Sequence, residues 1–394
     1  MLLGKGECFI AILTISLLFH RLPILAGAGP ISMIDLIVIL GVLYLVWSIF
    51  KGDKLFLPKE LVIPPLLLFI ISTLALITGF ISDHKIATII FSISMLLKMS
   101  LILLMFYFCI TKNVNISIID SILKAYVLIV FFCVVIQYLG FPLFGYSEGS
   151  PAAFYNGRNE MIMAFLPISL YVSFKDRPKL FFIIICFLVL LLSRGRTGML
   201  IFVVMSILMV LINKNKFRVL FGLLFTSAIG LYFLPSNFLE EYYYRFFFSA
   251  FAEYDDSRGS IGIRLVLYDN IFNVIKEDYT IVDYLLGHGE SGFRNLSKSF
   301  YGMHELGYVE LQPHNTFLGQ FVNFGILSLC VFLLFISYSM FYLYKQRDLC
   351  LLIALLSAIL NLIMFDYISG YIVYFLISLF LIQSYQASIG NYEN

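Results

Sequence analysis

A histidine and an asparagine stand together at a junction between a polar and an apolar segment. In residues 310–325, ELQPHNTFLGQFVNFG, His314 and Asn315 mark the point where a long polar interval ends and an apolar run begins. A histidine titrates near neutrality and can therefore remove a proton from a hydroxyl group. Asn315 could orient the imidazole, or it could cap the following helix, since asparagine is a favoured N-cap residue. The sequence leaves both roles of Asn315 open.

Two arginines occupy a very short turn between apolar runs, in LLSRGRTGML. These are Arg194 and Arg196. A guanidinium binds phosphate in a bidentate manner and stays charged, whereas an arginine at a helix end can also simply snorkel to the membrane surface. Arg158, in YNGRNE, and Arg264 would converge on the same ligand if the long segment around Arg264 folds over the helices. Such a cluster beside lipid favours a diphosphate-linked lipid over a free sugar as the ligand.

The long polar interval also contains a glycine-rich motif, LLGHGESGFRN. Gly287, Gly289 and Gly292 allow tight turns with positive φ, either as a phosphate-binding nest or as a plain turn. His288, His304 and His314 share this interval, but their spacing matches no tight zinc-ligand pattern. We therefore predict no metal site and no cofactor.

Composition places the chain in a membrane. Hydrophobic residues make up 61% of the sequence and charged residues 13%, which is incompatible with a soluble domain. The apolar runs long enough to cross a bilayer predict about twelve helices. They lie near 8–20, 31–50, 61–80, 87–110, 117–139, 160–174, 179–193, 196–212, 217–234, 314–344, 349–364 and 370–386. No cleavage site follows the first run, so we expect it to be retained.

Lysine and arginine fall mainly in alternate short loops. That side is predicted to be the cytoplasm, with both termini in it, because cytoplasmic loops carry the excess of positive charge. The opposite short loops hold only Arg21, Lys85, Arg158, Arg194 and Arg196. The arginines of the external side therefore run against the usual distribution and need another explanation.

The chain is predicted to be one polytopic domain, 1–394, with a large external loop at 235–313 between the ninth and tenth helices. The segment SIGIRLVLYDNIFNVIKED has apolar residues at helical spacing and Ser260 as a candidate N-cap, which predicts an amphipathic helix. We expect the loop to be partly helical and to pack on the membrane face. No internal repeat, nucleotide-binding glycine loop or basic run indicating nucleic acid is present.

Two ionisable residues lie inside predicted spans. Lys98 stands in the middle of SMLLKMSL, and Asp35 near the start of the second span. Such residues are functional candidates in a membrane protein. Pairing with each other or with the backbone would explain them equally well.

These motifs, in this order, resemble the O-antigen polymerase and O-antigen ligase superfamily of bacterial envelope glycosyltransferases. The resemblance covers roughly 140–330. It comprises the loop FYNGRNEMIMAFLPISLY, the turn SRGRTG, an early arginine in the long loop, the motif LLGHGESGF and the terminal PHNTFLGQFVNFGILS, of which the His-Asn pair is the most specific. It implies an all-α, GT-C-like integral membrane protein in the bacterial inner membrane, with its active site on the periplasmic face.

The resemblance further implies an inverting, metal-independent glycosyl transfer from a glycan on undecaprenyl diphosphate. In that scheme His314 activates the acceptor hydroxyl, and Arg196 and Arg264 bind the diphosphate and stabilise the charge of the leaving group. Arg194, Arg158, Asn159, Asn315 and His288 are the expected substrate-binding residues. Gly195 stands where the family often has serine.

Within the superfamily the acceptor separates the activities. A polymerase extends the next lipid-linked repeat unit, and the extra Arg158 and Arg194 would suit its second diphosphate. A ligase uses the lipid A core instead. A polysaccharide flippase, from a different class, would also have about twelve helices but should show related halves. Expected partners are the lipid-linked oligosaccharide, membrane lipid, a chain-length regulator and a flippase, and no nucleic acid.

Overall fold

The computed structural model describes residues 4–20, 32–54, 56–82, 85–144, 151–155, 158–175, 178–212, 220, 260–290, 315–364 and 370–390. Within these ranges the regular structure is helical, and no strand occurs. The helices are α1 Lys5–Leu18, α2 Met33–Phe50, α3 Lys59–Ile81, α4 Lys85–Phe106 with a π turn Tyr107–Thr111, α5 Ser117–Tyr138, α6 Arg158–Phe174, α7 Leu180–Leu192, α8 Arg196–Ile212, α9 Ser260–Asp278, α10 Ile281–Leu286, α11 Thr316–Lys345, α12 Leu349–Met364 and α13 Tyr371–Gly390.

The helices are those of a multi-pass membrane protein. Six of the described helices are long and apolar enough to cross a bilayer: α2, α3, α4 with its π turn, α5, α11 and α13. Shorter apolar helices lie at Leu180–Leu192, Thr197–Ile212 and Leu349–Ile363. The all-helical membrane class is thus confirmed. The predicted ninth span, 217–234, and most of the loop 235–313 lie outside the described residues, so the total of about twelve stays a prediction.

Hydrogen bonds between distant helices fix which helix ends share a face. The hydroxyl of Tyr371, at the start of α13, donates to Asp35, at the start of α2. Short links reverse the chain direction between successive helices from α2 to α5 and from α6 to α8. The hydrogen bond from Tyr171, near the end of α6, to Asp120, near the start of α5, sets these two helices antiparallel, so α2, α4, α6 and α8 begin at the same face as α13. Because α12 runs into α13, α12 ends there. We call this end of the bundle, formed by the starts of α2, α4, α6, α8 and α13 and the end of α12, the site face.

Helix α6 is the centre of the bundle. Every residue from Met161 to Phe174 is buried, and α6 packs against α5, α7, α8 and α12. Its far end is fixed by a polar cluster, in which Tyr171 donates to Asp120 and Lys175 forms an ion pair with the same carboxylate. The first residue of α6, Arg158, is therefore carried to the site face by the most enclosed helix described.

Helix α11 is broken at Gly325, whose φ of 73° and ψ of 179° are not helical. The ring of Phe317, before the break, lies 5.7 Å from the ring of Phe332, after it. A straight helix would separate these positions by roughly 22 Å, at about 1.5 Å per residue. The segment 316–324 therefore bends back towards 326–345, and Gln320 hydrogen-bonds Ser328 across the break. The apolar run predicted near 314–344 is thus present as Thr316–Lys345, with a break that the run itself does not indicate.

The two ionisable residues within predicted spans, the buried Lys98 and the partly buried Asp35, both have partners. The Lys98 ammonium donates to Ser94 Oγ at 2.7 Å and lies 5.6 Å from the ring centroids of Tyr371 and Tyr374. Asp35 accepts from Tyr371 and, in a capping box, from the backbone and hydroxyl of Ser32. Within the described part of the chain, Lys98 therefore pairs with a side-chain hydroxyl and aromatic rings, and not with Asp35 or the backbone as the second alternative predicted, whereas Asp35 does accept one backbone hydrogen bond.

Candidate active site

The arginine turn is a helix C-cap of unusual composition. Arg194 N donates to Leu191 O at 3.0 Å and Gly195 N donates to Leu190 O at 3.2 Å, which is the hydrogen-bond pattern of a Schellman motif at the end of α7. Arg194 occupies the left-handed position of this motif, with φ 55°, where glycine is usual. A side chain there costs about 1 kcal/mol. Strain of this kind is retained where another role compensates for it.

The same turn packs directly on the first turn of α6. A Cβ on Gly195 would lie 2.1 Å from Ile162 Cδ1, and one on Gly198 would lie 2.6 Å from Ile162 Cγ2. Ile162 and Arg158 are four residues apart on α6 and therefore share one face of the helix. The contact thus brings Arg158 to within about one helical turn of Arg194 and of the start of α8 at Arg196. It also gives a packing reason for glycine at 195.

The structure describes the side chains of only some of the remaining predicted site residues. Asn159 is exposed beside the half-buried Arg158. Arg196 is the first residue of α8, and Arg264 lies in α9. The structure describes the backbone of these two residues but not their side chains. His314 lies outside the described residues. Helix α9 itself confirms the amphipathic helix predicted from Ser260 onward, with Ile271, Val274 and Ile275 buried against Val322 of α11.

Asn315 is the N-cap of α11. Its Oδ1 accepts from Phe317 N at 2.9 Å and from Leu318 N at 3.1 Å. The capping role, one of the two predicted, is therefore occupied by the side-chain oxygen. The amide nitrogen Nδ2 remains the group with which Asn315 would contact His314 or a substrate.

An aromatic groove adjoins this cap. It has a volume of about 340 Å³ and lies between α9 and the first segment of α11. Tyr268, Phe272, Phe317 and Phe321 form its walls together with Asn315. The residue next to the predicted base thus opens onto a largely apolar surface.

The glycine motif closes the break in α11. His288 N donates to Val322 O at 3.4 Å and Gly289 N donates to Asn323 O at 2.7 Å. A non-helical residue interrupts the helical hydrogen-bond ladder, and carbonyls so released need other donors. Because these two N–H groups satisfy carbonyls of α11, the structure favours a packing turn over a phosphate nest at His288 and Gly289.

Backbone meets backbone at this junction. A Cβ on Gly287 would lie 2.4 Å from the carbonyl of Asn323, and one on Gly325 would lie 2.2 Å from Leu285 O. Both glycines have positive φ, 74° and 73°. Thr78, at the end of α3, donates to Leu286 O at 2.7 Å. The segment after α10 is thus fixed to both α3 and α11 at the site face.

The side chain of His288 lies on the outer side of this junction. Its Nε2 is 3.6 Å from Asp283 Oδ1, and its ring packs edge-on against Tyr279 at 4.7 Å. Burial, with the nearby Asp283 carboxylate as a smaller cause, raises the pKa of Tyr279 above its ordinary range. Tyr279 therefore stays protonated and donates to Val322 O at 3.0 Å. This environment holds His288 as part of the loop's own packing.

Glu290 continues the attachment towards α4. Its backbone N donates to Thr88 Oγ1 at 3.0 Å, and its carboxylate accepts from Asn323 Nδ2 at 3.4 Å. The segment after α10 is thus joined to α4 as well as to α3 and α11.

Gln137 is a positioning residue that the sequence interpretation missed. It is fully buried at the end of α5, where Nε2 donates to Leu143 O at 2.7 Å and Ala153 O at 2.5 Å. Its Oε1 accepts from Ala152 N at 3.0 Å and Ala153 N at 2.8 Å. One amide therefore fixes the loop that leads to Arg158. The available signal was a lone glutamine in the apolar run FFCVVIQYLGF.

A family comparison covers most of these elements. Residues 181–333 match the family model for O-antigen ligase. The match agrees with the resemblance of this part of the chain to the O-antigen polymerase and ligase superfamily. Members of the family are membrane enzymes of the glycosyltransferase type in the bacterial inner membrane. No curated protein matches the chain.

The O-antigen ligase match contains Arg194, Arg196, Arg264, His288 and the 314–315 pair, which confirms the resemblance seen in the motifs. Arg158 and Asn159 precede it. Their place beside the arginine turn therefore rests on the packing of Ile162 against Gly195 and Gly198. Within the described ranges, no three His, Cys, Asp or Glu side chains come together as metal ligands.

Proposed function

We propose that the protein is a surface-polysaccharide polymerase. It transfers a growing glycan from undecaprenyl diphosphate to the next lipid-linked repeat unit on the periplasmic face, with inversion at the anomeric carbon. The proposal is carried by the arrangement of Arg158, Arg194 and the start of α8 at Arg196, which the Ile162 contact gathers at one face of the bundle.

The chemistry needs few groups. A lipid diphosphate is a good leaving group, so positioning, fixed positive charge and one base suffice. Arg196 and Arg264 are proposed to hold the diphosphate and neutralise the charge that develops as it leaves. His314 is proposed to take the proton of the acceptor hydroxyl, with Asn315 beside it. No metal or other cofactor takes part in this scheme.

The arginines favour a polymerase because both of its substrates carry a diphosphate. Arg158 and Arg194 belong to different elements, α6 and the α7–α8 turn, which are in contact through Ile162. They are proposed to bind the second diphosphate, while Asn159 and His288 are proposed to contact the glycan. A chain-length regulator and a flippase are the proposed protein partners.

Ligation to the lipid A core is the second candidate, and the description of the matching family model, O-antigen ligase, favours it. Electrophoresis of surface polysaccharide from cells that lack the gene separates the candidates. A single repeat unit on the core supports the polymerase. Bare core indicates the ligase, and loss of lipid-linked units from the outer face indicates a flippase. Complementation with the wild-type gene is the control.

A further inference from the structure

One buried amide at the site face has no hydrogen-bond partner in the described part of the chain. Asn361, in α12, is 2% exposed, and neither Nδ2 nor Oδ1 has a partner. The buried amides of Gln320 and Gln383 differ, because each keeps one hydrogen bond through Nε2. An amide buried without partners costs about 1–3 kcal/mol. A leucine, which has the same branched shape and no polar atom, would avoid this cost, so the fold itself does not account for Asn361.

Helix packing places Asn361 among the elements of the proposed active site. Helix α12 packs against both α6 and α8. It has 16 residues and they have 17 each, and it ends at the face where they begin. Because the antiparallel helices have nearly equal lengths, Asn361, in the last turn of α12, lies level with their first turns. These are the turns that follow Arg158 and Arg196.

The packing of α12 against α11 places Asn361 at the same height in the helix bundle. A short turn joins α11 to α12, with Asp348 N donating to Leu343 O at 3.0 Å. On two antiparallel helices, residues at equal distances from the connecting turn lie side by side. At about 18 Å from this turn along each helix, Asn361 lies beside Phe332 or the residue next to it. The ring of Phe332 contacts Phe317, two residues after Asn315. The starts of α6, α8 and α11 thus converge near this amide.

We infer that Asn361 is a glycan-binding residue: its amide pairs with hydroxyl or acetamido groups of the sugar next to the diphosphate. A carboxamide offers both donors and an acceptor, as these groups require. The inference rests on the proposed function, because it assigns a sugar contact in that same site. It differs from the arginine assignments in chemistry, since a neutral amide recognises the sugar and not the phosphate.

The test compares stability with binding in the purified protein. Asn361→Leu removes the amide and keeps the branched shape and the number of heavy atoms of the side chain. We expect its thermal unfolding temperature to equal or exceed that of the wild type. Its affinity for an undecaprenyl-diphosphate-linked repeat unit should fall about tenfold or more, a loss of about 1.4 kcal/mol. Affinity for undecaprenyl diphosphate without a glycan should not change. Asn361→Asp, which lacks the donor, should also bind the glycan-bearing lipid weakly.

Two matched variants calibrate the result. Ser206→Ala removes another buried polar atom without a partner, deep in α8; it should not lower stability and should leave binding unchanged. Gln137→Leu removes a fully bonded amide and should lower stability strongly. Wild-type affinity in Asn361→Leu, or unfolding comparable to that of Gln137→Leu, would overturn the inference alone. Failure of the wild-type protein to bind either lipid would instead overturn the proposed function, and the inference with it.

Discussion

The ring of Phe317 lies 5.7 Å from the ring of Phe332 although both belong to one helical segment, α11. The break at Gly325 makes this contact, and it directs the start of α11 into the bundle. The carbonyls released at the break are satisfied by the segment after α10. The contact that attaches the segment after α10 therefore also fixes the direction of α11 from Asn315 onward.

Gly325→Ala should detach this loop. A Cβ would lie 2.2 Å from Leu285 O, a backbone atom that cannot yield, at a residue with φ 73°. We expect a marked loss of thermal stability and faster proteolysis between α9 and α11. Gly140→Ala is the matched control, because φ is 90° but the Cβ would meet nothing within 4 Å. It should cost only about 1 kcal/mol, and equal effects of the two variants would contradict the clash.

Arg194→Gly should separate stability from function. Glycine relieves the left-handed backbone, so we expect a gain of up to about 1 kcal/mol together with weaker binding of the lipid-linked substrate. Arg347→Gly is the control, since Arg347 has φ 59° in the corresponding turn after α11, at the opposite face. It should gain stability and keep full activity. Undiminished activity of Arg194→Gly would show that Arg194 only snorkels.

Gln137→Leu should lower stability by roughly 3 kcal/mol or more, because it leaves four buried backbone groups without their partner. Thermal unfolding in detergent measures the effect. Activity should fall as well, since the amide fixes the loop before Arg158. A stability change below about 1 kcal/mol would mean that other groups hold this loop.

His314→Ala should abolish polysaccharide synthesis while the protein stays folded and membrane-inserted, because it removes the proposed base. Asn315→Ala has the contrasting expectation of about 1 kcal/mol lower stability, since it removes the cap of α11. Asn315→Asp keeps an acceptor oxygen and should keep the cap. Complementation of a deletion strain, with membrane fractionation, measures activity and insertion. Full activity of His314→Ala would contradict the proposal that His314 is the catalytic base.

Arg196→Lys should be strongly impaired although it keeps the positive charge, because lysine cannot form a bidentate pair with phosphate. Initial rates with a lipid-linked repeat unit measure the loss, with membrane abundance as the control. Near-normal turnover would argue that Arg196 only anchors the helix end at the membrane surface.

Much of the architecture could be predicted because membrane insertion is governed by local hydropathy. The apolar runs gave the described helices, and periodicity gave the amphipathic helix from Ser260 to Asp278. The break at Gly325 could not be predicted in this way, since its cause is the backbone of Leu285 and Leu286, distant in sequence. A hydropathy profile contains no information about such a contact.

The sequence by itself determined the chemical inventory: arginines at 158, 194, 196 and 264, and a histidine at 314. These residue types and their order were sufficient to indicate the family resemblance. Only the tertiary structure decided that Ile162 joins α6 to the arginine turn and that Gln137 fixes the loop before it. It also decided that Asn361 lies at the same level without a partner. Such relationships depend on which helices pack together, and packing arises from shape complementarity between segments that are far apart in the chain.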